Sequence, residues 1–320
     1  MTFAGSPDRV EARLVPEAGF EFDAFEVSGL PRRPSLALLR GLVRGVGAVR
    51  ACGAILAARR PDVVLGAGGY VGGPIVAAAA RRRTPAALLE ADAHLGLANR
   101  LAAPFAKRVF LSFPIEGRED GKYRVTGRPI PARSRPVERA EARSRFQLPA
   151  DGPALLVFGG SQGARRLNEL AVASFGPKGP PVLHLAGERD YPELRGRVGR
   201  PDYRLLPFTN DFGAALGATD LALARAGGSV WELAAAGVPA VLVPYPSATA
   251  DHQTSNARHF ARGGGAILVP EAELDSVPGL VRSLLVDDEK RQRMREAMLA
   301  LARPGAAEEI AEELISLAAA

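Results

Sequence analysis

The chain has 320 residues, 47% hydrophobic and 24% charged, with a formal net charge of +6. That length suits about two domains, and the balance excludes a disordered, collagen-like or fibrous chain. The single cysteine, Cys52, excludes an intrachain disulfide and a cysteine-based metal cluster, and fits a reducing compartment.

The opening stretch MTFAGSPDRVEARLV holds acids and no apolar block, so it does not read as a signal peptide. No uncharged apolar run reaches the roughly 18 residues that a spanning helix needs. Residues 1–150 carry 24 Lys+Arg against 14 Asp+Glu, and residues 151–320 carry 17 against 21. The first half is therefore basic and the second mildly acidic. Such asymmetry suggests an anionic partner: nucleic acid, a bilayer surface or a phosphorylated substrate. Arg-rich codon usage explains Arg over Lys, but not why one half is basic.

In chain order, strands are expected at 2–5, 20–27, 62–66, 85–90, 108–113 and 123–126. Helical patterns lie near 36–58, 70–82 and 95–106. The second half repeats the alternation, with strands at 154–159, 181–186, 203–208, 220–224, 239–244 and 266–269. Helices lie near 162–174, 211–218, 229–236 and 252–262. The tail 271–320 is helical and split by Pro304 and Gly305. This pattern means βαβ units and parallel sheets, hence an α/β fold of two Rossmann-like domains. The expected domains are 1–133 and 151–320. Residues 134–150 belong to a Pro- and Arg-rich stretch read as the linker.

In open parallel sheets, ligands bind beyond the carboxyl ends of strands. Two glycine loops stand there: Gly66-Ala67-Gly68-Gly69-Tyr70-Val71-Gly72-Gly73 and Gly159-Gly160-Ser161-Gln162-Gly163-Ala164. Each leads from a strand into a helix, which suits a phosphate cradle. Tight packing turns are the alternative. Neither is a Walker A loop or a complete dinucleotide fingerprint.

A third loop is Arg225-Ala226-Gly227-Gly228-Ser229-Val230-Trp231-Glu232. Arg225 could pair with phosphate and Glu232 could accept a ribose diol. Equally, Ser229 and Glu232 could form a capping box. The run Asp251-His252-Gln253-Thr254-Ser255-Asn256 suits a sugar, unless Asp251 simply caps a helix. Glu90-x-Asp92 reads alternatively as an acid pair for Mg²⁺.

Taken together, Gly-Gly-Ser-Gln-Gly-Ala, Arg-Ala-Gly with Glu-Leu-Ala-Ala-Ala-Gly-Val-Pro, Asp-His-Gln-Thr and Gly-Ala-Gly-Gly-Tyr-Val resemble the MurG glycosyltransferase family. The resemblance runs from about residue 2 to the C-terminus. It implies a GT-B fold with two sheets facing across a cleft and inverting chemistry without a metal or other cofactor. It further implies transfer of N-acetylglucosamine from UDP-GlcNAc to undecaprenyl-diphosphate-linked muramyl pentapeptide, in cell-wall synthesis. Carried over by position, Asp92, Ser161, Gln162, Gly163, Thr209, Arg225, Gly227, Gly228, Ser229, Glu232 and Gln253 would contact the donor. Gly68, Gly69 and Tyr70 would face the acceptor diphosphate. The last helix would pack back on the first domain.

Several positions depart from the family pattern. Its first strand and Gly-Thr-Gly-Gly-His loop, with the proposed catalytic His, have no counterpart before Thr2; a start placed too late is the expectation. Where the family has His-Glu-Gln-Asn, this chain has Leu89-Glu90-Ala91-Asp92. Pro131 replaces a diphosphate-binding Arg, with Arg128 or Arg133 as substitutes at the acceptor diphosphate. His94 and Asp92 are the fallback bases. The segment 36–58, with Arg40, Arg44 and Arg50, reads either as an amphipathic surface helix or as an ordinary sheet-packed one. The first reading places the protein on the cytoplasmic face of the membrane. Other GT-B transferases, a UDP-sugar epimerase and a non-catalytic UDP-sugar binder are the rivals. Nucleic acid is not expected as a partner, because the basic half shows no aromatic stacking pattern.

Overall fold

Continuous apolar runs form the central strands, such as Leu155–Phe158 and Leu221–Ala224, because a parallel strand inside a sheet is covered on both faces. The computed structural model describes residues 1–27, 36–160 and 164–319. The chain divides into two compact units, Met1–Thr126 with Glu308–Ala320, and Gly127–Ala307.

Unit 1 runs β1 (Thr2–Gly5), α1 (Glu11–Glu17), β2 (Glu21–Ala24), α2 (Leu36–Arg59), β3 (Val64–Gly66), α3 (Gly69–Arg81), β4 (Ala86–Glu90), α4 (Leu97–Ala102), β5 (Arg108–Leu111) and β6 (Tyr123–Val125). β3, β4, β5 and β6 form one parallel sheet in that order, and β1 pairs with β2 in a second. Ala48, Cys52 and Leu56, four residues apart, form the buried stripe of α2. They join Val64, Val76, Leu88 and Val109 in one core. Over the described side chains, α2 is thus a sheet-packed helix, with Val46 and Arg50 exposed. The side chains of Arg40 and Arg44 lie outside the described residues. Arg59 pairs with Glu21 at 2.8 Å and Asp23 at 2.9 Å on β2. Burial pushes the Cys52 thiol up to about 12.

Unit 2 runs α5 (Arg139–Phe146), β7 (Leu155–Phe158), α6 (Arg165–Phe175), β8 (Val182–Leu185), α7 (Tyr191–Leu194), β9 (Tyr203–Leu206), α8 (Phe212–Gly217), β10 (Leu221–Ala224), α9 (Val230–Ala236), β11 (Ala240–Leu242), α10 (His252–Arg262), β12 (Ala266–Leu268), α11 (Val277–Val286) and α12 (Asp288–Leu301). Its all-parallel sheet has the order β12-β11-β10-β7-β8-β9. That is the doubly wound arrangement, whose order reverses between β7 and β10. Every residue of β7 and β10 is buried.

α13 (Ala306–Ala319) returns the chain to unit 1. There Ile310, Leu314 and Leu317 pack on Ala87 and Phe110 of β4 and β5. Glu313 bridges Arg108 at 3.1 Å and Arg124 at 3.4 Å.

The expected linker is different in the structure. Residues 127–133, read as the end of the first domain, belong to unit 2, as does 134–150. Glu138 caps α5 by accepting from Ala140 N at 2.8 Å and Glu141 N at 3.2 Å. Arg143, 1% exposed, donates to the carbonyls of Ala218, Pro149, Ala150 and Gly152 and to Asp220. A buried guanidinium is tolerable only when its donors are matched in this way.

Candidate functional site

Each unit carries a loop cluster at the carboxyl ends of its strands. In unit 2 the cluster gathers at the switch between β7 and β10. Gly159 and Gly160 follow β7; Ser161, Gln162 and Gly163 lie outside the described residues. After β10 come Arg225 to Ser229, which lead into α9.

Arg225 does not offer an open cation. It is 7% exposed. It donates to the carbonyls of Val243 and Pro244, each at 3.1 Å, pairs with Glu271 and lies over the Tyr245 ring at 5.5 Å. The side chain expected at a phosphate thus clamps the loop after β11. Glu271, which also holds Arg166 at 2.9 Å, was invisible to sequence reading because nothing local marks it.

The alternative, a capping box, is absent, since Ser229 makes no side-chain capping bond to α9. Glu232 instead accepts the Ser134 hydroxyl at 2.5 Å. Ser134 is 3% exposed, and this contact leaves Glu232 half-buried at the start of α9. Gln253, on α10, accepts from Tyr245 N at 2.9 Å through Oε1. Its amide nitrogen has no partner among the described residues, so it is placed to donate to a hydroxyl. Asn256, expected among the sugar contacts, is fully buried and donates to Ala226 O at 3.3 Å. It braces the glycine turn from beneath. Asp251 makes no capping bond to α10 and accepts from Thr254 Oγ1 at 2.5 Å. Thr209 follows β9 and accepts from Asp211 N at 3.1 Å. Beside it Phe208 is 57% exposed.

Arg128 and Arg133, expected at the acceptor diphosphate, belong to unit 2. Arg133 is exposed in the turn Ala132–Ser134. Arg128 lies against Gly228: a Cβ there would meet its Cζ at 2.5 Å. The sequence departure at Pro131 flagged these arginines but not their location.

A buried polar chain runs through His184 on β8. His184 shares hydrogens with Tyr203 Oη at 2.8 Å and Asn168 Oδ1 at 3.0 Å. Asn168 donates to Ala186 O at 2.8 Å and Asp190 at 2.9 Å. Burial pushes the His184 imidazole down to about 3, so it is neutral. The Arg189 guanidinium, followed by smaller contributions from Asn168 and Arg165, holds the Asp190 carboxyl below its usual value.

In unit 1 the loop after β3 carries Gly68 and Gly69 at φ of 91° and 64°. These left-handed conformations exclude ordinary side chains. Tyr70, in the first turn of α3, accepts from Arg9 Nε at 2.8 Å. The loop after β4 is organised by Glu90, which is 6% exposed. Its carboxylate accepts from Asp92 N at 3.3 Å, Gly96 N at 2.9 Å and Asn99 Nδ2 at 2.9 Å. Glu90 is therefore a loop brace rather than half of an acid pair. Asp92 and His94 stand half-buried on that loop.

Two family models match this chain. The glycosyltransferase family 28 N-terminal domain covers residues 2–111, and the family 28 C-terminal domain covers 154–313. The chain is 41% identical over 330 residues to a Nocardioides UDP-N-acetylglucosamine–N-acetylmuramyl-(pentapeptide) pyrophosphoryl-undecaprenol N-acetylglucosamine transferase, across 99% of this chain and 89% of that protein. To the transferase of the same name from Halothermothrix orenii it is 36% identical, across 95% and 87%. It is also similar to the crystal structure of Acinetobacter baumannii MurG, with a TM-score of 0.75 and 25% identity over 98% of this chain and 90% of that one.

Proposed function

We infer that this chain, which belongs to the MurG family within glycosyltransferase family 28, transfers N-acetylglucosamine from UDP to undecaprenyl-diphosphate-linked muramyl pentapeptide. The fold is GT-B, with an all-parallel doubly wound sheet in unit 2. One observation carries the donor assignment. Gly227, Gly228 and Glu232, on the turn into α9, and Gln253, on α10, all follow the carboxyl ends of β10 and β11 beside the switch point.

In the reaction, the muramyl hydroxyl oxygen forms a bond to the anomeric carbon as the bond to UDP breaks. The hydroxyl proton passes to a base, and the leaving diphosphate gathers negative charge. Glu232 accepts the ribose diol. The Gln253 amide donates to a sugar hydroxyl, and Thr209 flanks the uracil. Ser161, Gln162 and Gly163 complete the donor loop by resemblance. Gly68, Gly69 and Tyr70 receive the acceptor diphosphate. Asp92 and His94 are the candidate bases.

The acceptor is lipid-linked, so the site works at the cytoplasmic face of a membrane. No helix among the described residues is long and apolar enough to cross a bilayer. An exposed stripe of Leu97, Leu101 and Phe105, flanked by exposed Arg100 and Lys107, supports peripheral contact with an anionic surface.

Radiolabelled UDP-GlcNAc incubated with the lipid-linked acceptor should give a labelled disaccharide lipid. Binding of UDP-GlcNAc without any transfer would overturn the assignment.

A further inference from the structure

Unit 2 begins with a short segment that crosses its own nucleotide loop. Ser134 fastens one end to Glu232. At the other end, Arg128 lies over Gly228. A Cβ at 228 would meet Cζ of Arg128 at 2.5 Å and its terminal nitrogens at 2.7 and 2.8 Å. Three such similar distances mean that the guanidinium lies broadside on the glycine α-carbon. Gly228 is not among the glycines with positive φ. Its missing side chain therefore serves space, not backbone conformation. Next to it, a Cβ on Gly227 would meet nothing within 4 Å, so that face of the turn is open.

The two arginines of this cluster differ in their commitments. Arg225 is buried and engaged by Glu271, two carbonyls and Tyr245. Arg128 is half-buried and has no carboxylate partner among the described residues. A partly desolvated guanidinium without an anion is poised to take one, and its fork of N–H donors matches phosphate oxygens.

We propose that Arg128, rather than Arg225, is the cation that receives the diphosphate of the nucleotide sugar, with Gly228 kept bare so that it can lie there. The proposal rests on the reading that unit 2 binds a UDP-sugar. It moves Arg128 from the acceptor to the donor.

The test compares UDP with uridine on the full chain, by calorimetry and competition. Arg128→Ala should weaken UDP roughly tenfold to a hundredfold, the range for losing a charged hydrogen-bond partner, and leave uridine unchanged. Arg128→Lys should recover part of the loss. Gly228→Ala keeps the charge but displaces it, and should weaken UDP in the same selective way. Each variant is checked by its melting temperature; should Arg128→Ala not fold, Arg128→Gln and Arg128→Lys carry the comparison. Unchanged UDP binding in the Arg128 variants, or an equal loss of UDP and uridine, overturns the proposal while leaving the functional reading intact. A wild-type chain that binds neither ligand overturns both.

Discussion

The Ser134 hydroxyl and the Glu232 carboxylate meet at 2.5 Å, although they are 98 positions apart. One oxygen of Glu232 is thereby fixed, and the side chain is aimed before any ligand arrives. If Glu232 holds the ribose diol, Ser134 is its positioning residue. Ser134→Ala should raise KM for UDP-GlcNAc several-fold, about 1 kcal/mol for one lost hydrogen bond, with kcat little changed. Discrimination against 2′-deoxy-UDP-GlcNAc should shrink in parallel. Steady-state kinetics with both nucleotides check this, and an unaltered KM would remove Ser134 from the site.

Arg225 and Glu271 are each about nine-tenths buried and paired. Removing one partner of such a pair strands a charge, at a cost of about 3–5 kcal/mol. Glu271→Met or Arg225→Met alone should therefore lower the stability of unit 2 severely. Arg225→Met with Glu271→Met should restore much of it. Denaturant unfolding of the two single variants and the double variant gives the coupling directly; strictly additive losses would contradict the pairing.

His184 stays neutral in the folded chain down to about 3. In the unfolded chain its imidazole takes up a proton near pH 6.5. Between those limits the unfolded state binds one more proton, so stability falls as the solution is acidified below about pH 6.5, by roughly 1.4 kcal/mol per pH unit from this group. It is fully retained above that pH. Replacing His184 by Gln should flatten the slope of unfolding free energy against pH in this window, even though the variant is less stable at neutrality.

Leu97, Leu101 and Phe105 stand 45%, 55% and 52% exposed. Changing all three to Ser should reduce sedimentation with anionic vesicles about tenfold or more, and leave soluble UDP binding untouched. If the stripe is a bilayer contact, raising the salt should weaken wild-type binding further through Arg100 and Lys107. Equal vesicle binding by the triple variant would locate the contact elsewhere.

The alternation of strands and helices was legible because the central parallel strands are unbroken apolar runs. Leu155–Phe158 and Leu221–Ala224 stand inside the segments expected from sequence. α5 was not legible, because its buried anchor is Arg143, a residue that apolar periodicity counts as solvated. The glycine turns were recognisable from composition, but their chemistry was not. Arg225 is the obvious cation beside a Gly-Gly pair, and only its partners in the folded chain, Glu271, the Val243 and Pro244 carbonyls and Tyr245, show that it is already occupied. Likewise Ser229 and Glu232 have capping-box spacing, and the fold gives Glu232 to Ser134 instead. Local patterns report local partners; a contact made by a segment far along the chain leaves no mark at either end.

Because α13 completes the β4–β5 face of unit 1, the first unit to be synthesised is the last to be finished. At translation speeds of about 5–20 residues per second, residues 127–307 take roughly ten to forty seconds to emerge. For that interval the patch around Ala87 and Phe110 lacks its cover on the nascent chain. A ribosome-bound chain arrested before residue 306 should accordingly recruit holdase chaperones and be cut readily by protease within unit 1, and release of the full-length chain should end both.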